Sequence, residues 1–238
     1  MNFFLFHLDY YYLILVVPAM ILALIAQIGV KRAYAKYAQV RVTSGMTGAD
    51  AAMNVLRHYG LMDVRIERIA GNLTDHYDPR ANVIRLSDGV YGSASVAGGG
   101  GGGIGVACHE AGHAVQHAKG YLPIKIRNAI LPVCNLGSKL GIPLAVAGLI
   151  FGADLLVNVG LLLYSLVVIF QLATLPVEFN ASRRAIRVID DTGMLSGEEL
   201  PGARSVLRAA AMTYVAALVV SLANLLRLLA IFAGRRDD

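Results

Sequence analysis

A run of 38 residues, 140–177, contains a single charged side chain, Asp154. A membrane-spanning helix needs about 20 apolar residues, so this run is too long for one span and about the right length for two. Gly152-Ala153-Asp154 is typical of a tight turn between them. The sequence therefore predicts a transmembrane helical hairpin over 135–175, with helices at roughly 135–152 and 155–175.

Two further apolar stretches predict one span near each end of the chain. Residues 10–30 carry no formal charge, and no basic segment or small-residue cleavage site marks them as a signal peptide, so we expect a transmembrane anchor over 1–30. Residues 209–226 are also uncharged and predict a C-terminal transmembrane helix over 209–234. Arg227 interrupts this last stretch, and the alternative there is a helix lying in the membrane interface.

The composition is that of a membrane protein. The chain is 56% hydrophobic and only 16% charged, whereas a soluble domain carries about 25% charged residues. The net charge of +5 raises the question of nucleic-acid binding, but no basic cluster with interleaved aromatic residues is present. We therefore expect the lipid bilayer as a partner and no nucleic acid. Two cysteines cannot form a disulfide framework.

The distribution of basic residues predicts the orientation of the chain. Of the 21 Lys and Arg residues, 12 lie in segment 31–134 and five in segment 176–208. Cytoplasmic segments of membrane proteins carry an excess of Lys and Arg, so both segments are expected to face the cytoplasm. The N-terminus and the turn at 152–154 then lie outside.

The polar segment 31–134 has the patterns of a mixed α and β domain. Thr47 predicts the N-cap of a helix that ends near Gly60. Apolar and polar residues alternate over 64–69 and 83–86, which predicts two strands with a turn at 78–80 between them.

A run of six glycines, 98–103, precedes the next predicted helix. Glycine disfavours helix by roughly 1 kcal/mol per residue relative to alanine. The run lacks the Lys-Ser/Thr of a P-loop and the spacing of a dinucleotide fingerprint, so we expect a flexible loop rather than a nucleotide site.

The motif with the clearest chemistry is His109-Glu110-Ala111-Gly112-His113, an H-E-x-x-H pattern. Two His residues four positions apart lie on one face of a helix and can bind one metal ion. Glu110 can then act as a general base toward water at the open coordination position. Two surface histidines on a structural helix are the alternative. His117 continues the same face and is a candidate ligand or a residue that supports one.

Catalytic zinc needs a third protein ligand and one open position. Glu178 is the candidate, at the expected start of a polar helix that runs to about Ile189. A carboxylate at a membrane edge is costly without a partner, and binding a cation offsets that cost. A helix-capping or solvated carboxylate is the alternative.

Five stretches resemble the YugP-like family of bacterial membrane zinc metallopeptidases. They are HYDPR (76–80), RLSDGVYG (85–92), HEAGHAVQH (109–117), NLGSKL (135–140) and LPVEFNASRRA (175–185).

The resemblance implies an α-helical integral membrane protein of a bacterial cell membrane, with about four transmembrane helices. It implies a cytoplasmic α+β, zincin-like metallopeptidase domain of the gluzincin type, broadly similar in layout to HtpX-like proteases. By the same resemblance His109 and His113 match the zinc ligands, Glu110 the general base and Glu178 the third ligand, with one Zn²⁺ per chain. The implied substrate is a peptide or a membrane protein.

The chain departs from the family pattern at Asn180, where most members are expected to have Asp. A residue there could orient a metal-binding His, and an amide does so more weakly than a carboxylate. The glycine run is also longer than the usual link into the metal helix. Candidates for the group that stabilises the oxyanion are Tyr77, His76, Tyr91 and Arg183.

Two other functions compete with a peptidase acting at the membrane surface. An intramembrane site-2-type protease also uses H-E-x-x-H, but within a span and paired with an N-P-D-G motif that this sequence lacks. A non-catalytic zinc-binding scaffold or a metal transporter is the alternative from another class. Transport ligands should lie within the spans, whereas His109 and Glu110 precede the hairpin, and a structural zinc site needs no base such as Glu110.

Overall fold

The structure is a computed structural model that describes residues 9–97 and 103–236. Residues 98–102 of the glycine run lie outside the described residues, so the expected flexible loop stays a prediction. The elements in chain order are α1 (Val17–Tyr37, preceded by a π-helical turn at Tyr12–Val16), α2 (Gly48–His58), β1 (Arg65–Ile69), β2 (His76–Asp78), β3 (Val83–Ser87), α3 (Asp88–Tyr91), α4 (Ile104–Ala118), α5 (Leu122–Phe151), α6 (Asp154–Asp191) and α7 (Glu199–Arg236).

Among the described residues, four helices are long and apolar enough to cross a membrane, which agrees with the four predicted spans. They are Tyr12–Tyr37, Leu122–Phe151, Asp154–Asp191 and Glu199–Gly234. The described residues form two compact units. We call residues 9–26, 126–175 and 213–236 the membrane unit, and residues 27–97, 103–125 and 176–212 the site unit.

The hairpin turn lies where the sequence predicts it. Helix α5 ends at Phe151 and α6 begins at Asp154, with Gly152 at a φ of +72°, a left-handed conformation that favours glycine. Helix α5 nevertheless begins at Leu122, 13 residues before the expected start at 135. The sequence did not predict these first turns because they carry Lys125 and lie outside the apolar stretch.

The prediction that a polar helix starts at Glu178 is wrong about where the helix begins. Helix α6 runs unbroken from Asp154 to Asp191 and includes Pro176, so Glu178 lies inside a helix and is not a cap. A proline in a helix removes one backbone hydrogen bond. The helix continues past it because the residues beyond it form a fully buried face at helical spacing: Val177, Ala181, Ala185 and Val188.

The site unit contains a small mixed sheet with the strand order β1-β3-β2. Strand β1 pairs parallel with β3, with Arg65 opposite Val83, and β2 pairs antiparallel with β3, with Tyr77 opposite Ile84. The sequence predicts β1 and β3 correctly and misses β2, because a strand of three residues is too short to show alternation.

The predicted start of α2 is confirmed as a capping box. The Thr47 side chain accepts a hydrogen bond from the Asp50 N–H, and the Asp50 carboxylate accepts one from the Thr47 N–H. The buried face of α2 joins a single core with β3, α4, the polar end of α6 and the first turns of α7. This core fixes α4 against α6, and these are the two helices that carry the predicted metal ligands.

Candidate metal centre

Helix α4 brings the two histidines of the H-E-x-x-H motif together on one face. The Nε2 atoms of His109 and His113 are 3.1 Å apart, and their ring centroids lie 4.6 Å apart with an interplanar angle of 84°. This arrangement follows from the helical period, because side chains four residues apart lie on the same face about one turn apart. Both imidazoles therefore direct their Nε2 atoms toward one position, where a single metal ion could bind both.

Helix α6 supplies the third ligand atom. Glu178 Oε2 lies 3.3 Å from His109 Nε2 and 3.7 Å from His113 Nε2, and the residue is only 3% exposed. Among the residues that the structure describes, these three form the one group of His, Cys, Asp or Glu side chains spaced to hold a metal ion. The structure thus brings together the three residues that the sequence predicts as ligands.

The spacing of the three atoms fits a tetrahedral zinc ion. Ligand atoms at about 2.0–2.2 Å from a tetrahedral centre are separated from one another by about 3.3–3.6 Å. The three separations here are 3.1, 3.3 and 3.7 Å. They outline one face of a tetrahedron, and the fourth vertex is left for a water molecule or a substrate atom. Two imidazole nitrogens and one carboxylate oxygen are a donor set that zinc accepts.

Gly112, inside the motif, allows the two helices to approach closely enough for this geometry. A Cβ atom built at Gly112 would lie 2.6 Å from the carbonyl oxygen of Ala181 on α6. Only glycine tolerates such an approach of a helix backbone. The contact lies one residue before His113 and three residues after Glu178, so it sets the distance between the ligands directly.

Gln116 orients His113 from behind. Its Nε2 donates hydrogen bonds to the Val177 carbonyl oxygen at 2.7 Å and to Asn180 Oδ1 at 3.1 Å, which fixes the orientation of the amide. Gln116 Oε1 therefore faces His113 Nδ1 at 3.0 Å, and the imidazole donates this hydrogen bond because a carbonyl oxygen only accepts. The Nε2 lone pair of His113 is then free to bind a metal.

Asn180 acts on the histidines only through Gln116. Its Oδ1 accepts from Gln116 Nε2 and from Arg184 Nε, the latter at 2.7 Å. The sequence suggested that a residue at this position could orient a metal-binding His directly, whereas in the structure Gln116 lies between Asn180 and His113. His109 has its own partner, Ser182, whose Oγ is 3.0 Å from His109 Nδ1.

The electrostatics of the cluster keep Glu178 ionised. Burial alone raises the pKa of this carboxyl, but the adjacent imidazoles of His109 and His113 outweigh that effect and hold the pKa well below its usual range. Burial lowers the pKa of His113, and the neighbouring Glu178 and the charge of Glu110 reverse this, so that its pKa is raised. A carboxylate that stays charged in a buried position is suited to binding a cation.

Glu110 lies next to His109 on α4 and is 9% exposed. The negative charge of Glu110 contributes to a raised pKa at Tyr34, a residue beyond the predicted first span. Burial, followed by the charges of Asp75 and Glu110, raises the pKa of Tyr34 to about 12. Sequence reasoning missed Tyr34, because nothing in the local pattern around it indicates that the fold brings it near Glu110.

Several candidate residues are not part of the cluster. His117 is exposed and packs edge-on against the Tyr77 ring, with centroids 5.9 Å apart. The Tyr77 hydroxyl donates to Asn82, and His76 Nδ1 donates to the Thr74 carbonyl. Tyr91 packs against the core. Arg183, the remaining oxyanion candidate, lines a groove between α6 and α7.

Comparison with known proteins finds a matching family model and a similar curated protein. Residues 12–233 match the family model described as "Putative neutral zinc metallopeptidase". The chain is 44% identical over 227 residues to "Putative membrane protease YugP" of Bacillus subtilis (strain 168), a match that covers 95% of this chain and 99% of that protein. No solved structure matches the chain.

Proposed function

The chain belongs to the neutral zinc metallopeptidase family, as its motifs predicted, and we propose that it is a zinc-dependent endopeptidase acting at the cytoplasmic surface of the cell membrane. Its role would be the processing or quality control of membrane proteins. The observation that carries the proposal is the triangle of His109, His113 and Glu178 donor atoms, whose separations match one face of a zinc tetrahedron.

The chain's own residues divide the chemistry between them. His109, His113 and Glu178 would hold one zinc ion per chain, which supplies Lewis acidity toward the scissile carbonyl when bound. Glu110 accepts the proton of the attacking water and delivers it to the leaving amine, as a general base and then a general acid. Gln116 and Ser182 hold the two imidazoles in the orientation that binding requires.

The proposed cytoplasmic location follows from charge and chain connectivity. Segments 31–134 and 176–208 hold 17 of the 21 basic residues and so favour the cytoplasmic side. Glu178 follows the end of the predicted hairpin at 175 by three residues in the same helix, a rise of about 4.5 Å. A site so close to a span end would meet the loops and unfolded tails of membrane proteins.

A zinc-binding scaffold or a metal transporter is the alternative that uses the same three ligands. Glu110 distinguishes the two classes, since a site that only holds or transports metal has no use for a base beside it. The test is therefore a comparison of the full-length protein with Glu110→Gln, measuring zinc content and hydrolysis of an unstructured protein substrate in parallel.

We expect Glu110→Gln to keep its zinc and lose turnover, because the amide cannot accept a proton. General-base catalysis contributes about 10²–10⁴-fold to rate, so the loss should fall in this range or above it. The matched control is Glu198→Gln, an exposed carboxylate on the polar loop before α7, which should leave both measurements unchanged. Activity within a few-fold of wild type in Glu110→Gln would contradict the proposed role.

A further inference from the structure

A groove between α6 and α7 lies outside the metal centre and combines arginine with apolar side chains. Its volume is about 350 Å³, within the range of small-molecule sites. Arg183 of α6 and Arg204 and Arg208 of α7 line it, together with Phe179, Ile186 and Leu207. Arg204 and Arg208 also line an adjoining hollow of about 540 Å³ along the same helix. Basic and apolar side chains that line the same groove suit an amphipathic ligand.

Two of the three arginines have no anionic partner within the described residues. Arg204 pairs with Asp190, whose Oδ2 lies 2.7 Å from Arg204 Nη2. Arg183 and Arg208 form no ion pair or hydrogen bond with described side chains. Two guanidinium groups facing one groove repel each other, and an anion between them relieves that repulsion while accepting bidentate hydrogen bonds.

The chain positions of these arginines put Arg208 at the depth of the lipid headgroups, a layer about 5–8 Å thick, and Arg183 a few ångströms beyond it, where a long arginine side chain can reach back toward the headgroups. Arg208 immediately precedes the predicted last span, which begins at 209, and Arg183 follows the end of the predicted hairpin at 175 by eight residues, about 12 Å of helix rise. Basic pockets at the cytoplasmic ends of membrane helices bind the phosphates of anionic lipids.

We propose that this groove binds the headgroup of an anionic phospholipid, with the phosphate held between Arg183 and Arg208 and the first acyl carbons resting on Phe179 and Leu207. An acidic peptide substrate is less favoured by the geometry. Ser182 lines the groove and contacts Nδ1 of His109, whereas the metal would bind at Nε2 on the opposite side of the ring. The groove therefore lies behind the metal ligand rather than on the substrate side.

Through the same contact, a lipid bound in the groove could influence the orientation of His109. Ser182 belongs both to the groove and to the hydrogen bond that orients His109. Because the binding itself does not depend on the proposed peptidase function, the test measures lipid binding and not hydrolysis.

The experiment is native mass spectrometry of the full-length protein in a neutral detergent, titrated with dioleoylphosphatidylglycerol or dioleoylphosphatidylcholine. One arginine beside an anionic lipid contributes about fivefold in affinity, so two predict a preference for phosphatidylglycerol of roughly 25-fold. The Arg183→Gln/Arg208→Gln double variant should lose nearly all of this preference, and each single variant should lose about fivefold.

Two matched variants separate the groove from general charge. Arg57→Gln/Arg80→Gln removes the same net charge from exposed positions outside the groove and should keep the full preference. Arg183→Lys/Arg208→Lys keeps the charge and should keep most of it. If the double glutamine variant does not fold, as judged by its thermal midpoint, the single variants carry the test.

Four outcomes would overturn the proposal. The groove variants could bind phosphatidylglycerol like wild type, or the Arg57/Arg80 control could lose the preference equally, which would make it an effect of net charge. Excess inorganic phosphate could abolish lipid binding, which would indicate a site for free phosphate. An acidic peptide could displace the lipid, which would indicate a peptide-docking surface.

Discussion

In the membrane unit and in the site unit, a glycine lets two helices touch, yet the contacts have different consequences. A Cβ atom at Gly160 of α6 would lie 2.4 Å from the backbone nitrogen of Ala145 on α5, and one at Gly112 of α4 would lie 2.6 Å from the Ala181 carbonyl oxygen on α6. The first contact joins the two arms of the hairpin through apolar surface. The second brings three metal ligands within reach of one another.

The two units also treat buried charge differently. In the site unit, the buried Glu178 faces two imidazoles and completes a donor set for a metal. In the membrane unit, Arg227 of α7 pairs with Asp9, with Nη2 2.6 Å from Oδ2, and stacks over the Tyr12 ring at 5.1 Å. The same physical need to neutralise a buried charge thus produces a ligand site in one unit and an ion pair in the other.

The largest effect is expected from removing the third ligand. Glu178→Ala should lower zinc affinity by more than about a hundredfold, because even residues that only support a ligand contribute about 10–100-fold. Glu198→Ala, an exposed carboxylate nearby in the chain, is the control and should leave affinity unchanged. Competition with a chelator measures both, and full zinc affinity in Glu178→Ala would refute the ligand assignment.

Glu199 is unsuitable as a second control, although the sequence alone makes it look equivalent to Glu198. It is 6% exposed, and its carboxylate accepts hydrogen bonds from the backbone N–H groups of Thr43 and Ser196 at 2.7 and 2.8 Å. Replacing it would leave these donors without their acceptor and destabilise the start of α7.

The spans and the motif histidines could be predicted from the sequence, whereas the contacts that position the metal ligands could not. The four spans and the turn at Gly152 follow from the absence of charge and from local conformational preference. The H-E-x-x-H histidines follow from the helical period. The roles of Gly112 and Gln116 depend on contacts with Ala181 and Val177, more than 60 residues away, and no local pattern contains that information.

Arg227 shows how a distant partner changes the interpretation of an apolar stretch. A charge inside that stretch leaves an interfacial helix as the alternative to a span, because the sequence does not reveal the partner of the arginine. The structure supplies Asp9, 218 residues away in the chain, and a paired arginine is compatible with a spanning helix.

The second largest effect is expected in the membrane unit, from breaking this ion pair. Asp9→Asn should lower the stability of the detergent-solubilised protein by roughly 3 kcal/mol, the lower end of the range for a buried pair, because it removes the carboxylate that pairs with a largely buried guanidinium. Its zinc affinity should stay at the wild-type value. The exposed Asp154→Asn at the hairpin turn is the control and should change the thermal midpoint little. An equal loss in both variants would mean that the pair has no special role.

A smaller effect is expected from adding one methyl group at the two glycine contacts, and it tests the comparison directly. Gly112→Ala and Gly160→Ala should each lower stability by about 1–3 kcal/mol, the usual result of overpacking. Only Gly112→Ala should also weaken zinc binding, because only that contact sets the distance between α4 and Glu178. Isothermal titration with zinc and thermal unfolding separate the two outcomes.

Gly105 provides the control for these substitutions. It lies on α4, and a Cβ atom there would meet nothing closer than 3.8 Å. Gly105→Ala should therefore leave zinc affinity unchanged and raise stability slightly, by up to about 1 kcal/mol of helix propensity. If Gly160→Ala weakened zinc binding as much as Gly112→Ala, the distinction between the two contacts would fail.

The smallest effect is expected at Asn180, at the far end of the hydrogen-bond relay behind His113, and the order of the relay variants matters more than their size. Gln116→Met keeps the side-chain volume and removes the acceptor of the His113 Nδ1–H, so zinc affinity should fall about 10–100-fold. Asn180→Ala removes a group that contacts Gln116 and not the imidazole, so its effect should be clearly smaller. Measured by chelator competition at one pH, this order distinguishes the relay in the structure from the direct role that the sequence suggested for Asn180. If Asn180→Ala lost as much affinity as Gln116→Met, Asn180 would be acting on the histidine itself, and the orientation assigned to the Gln116 amide would be wrong.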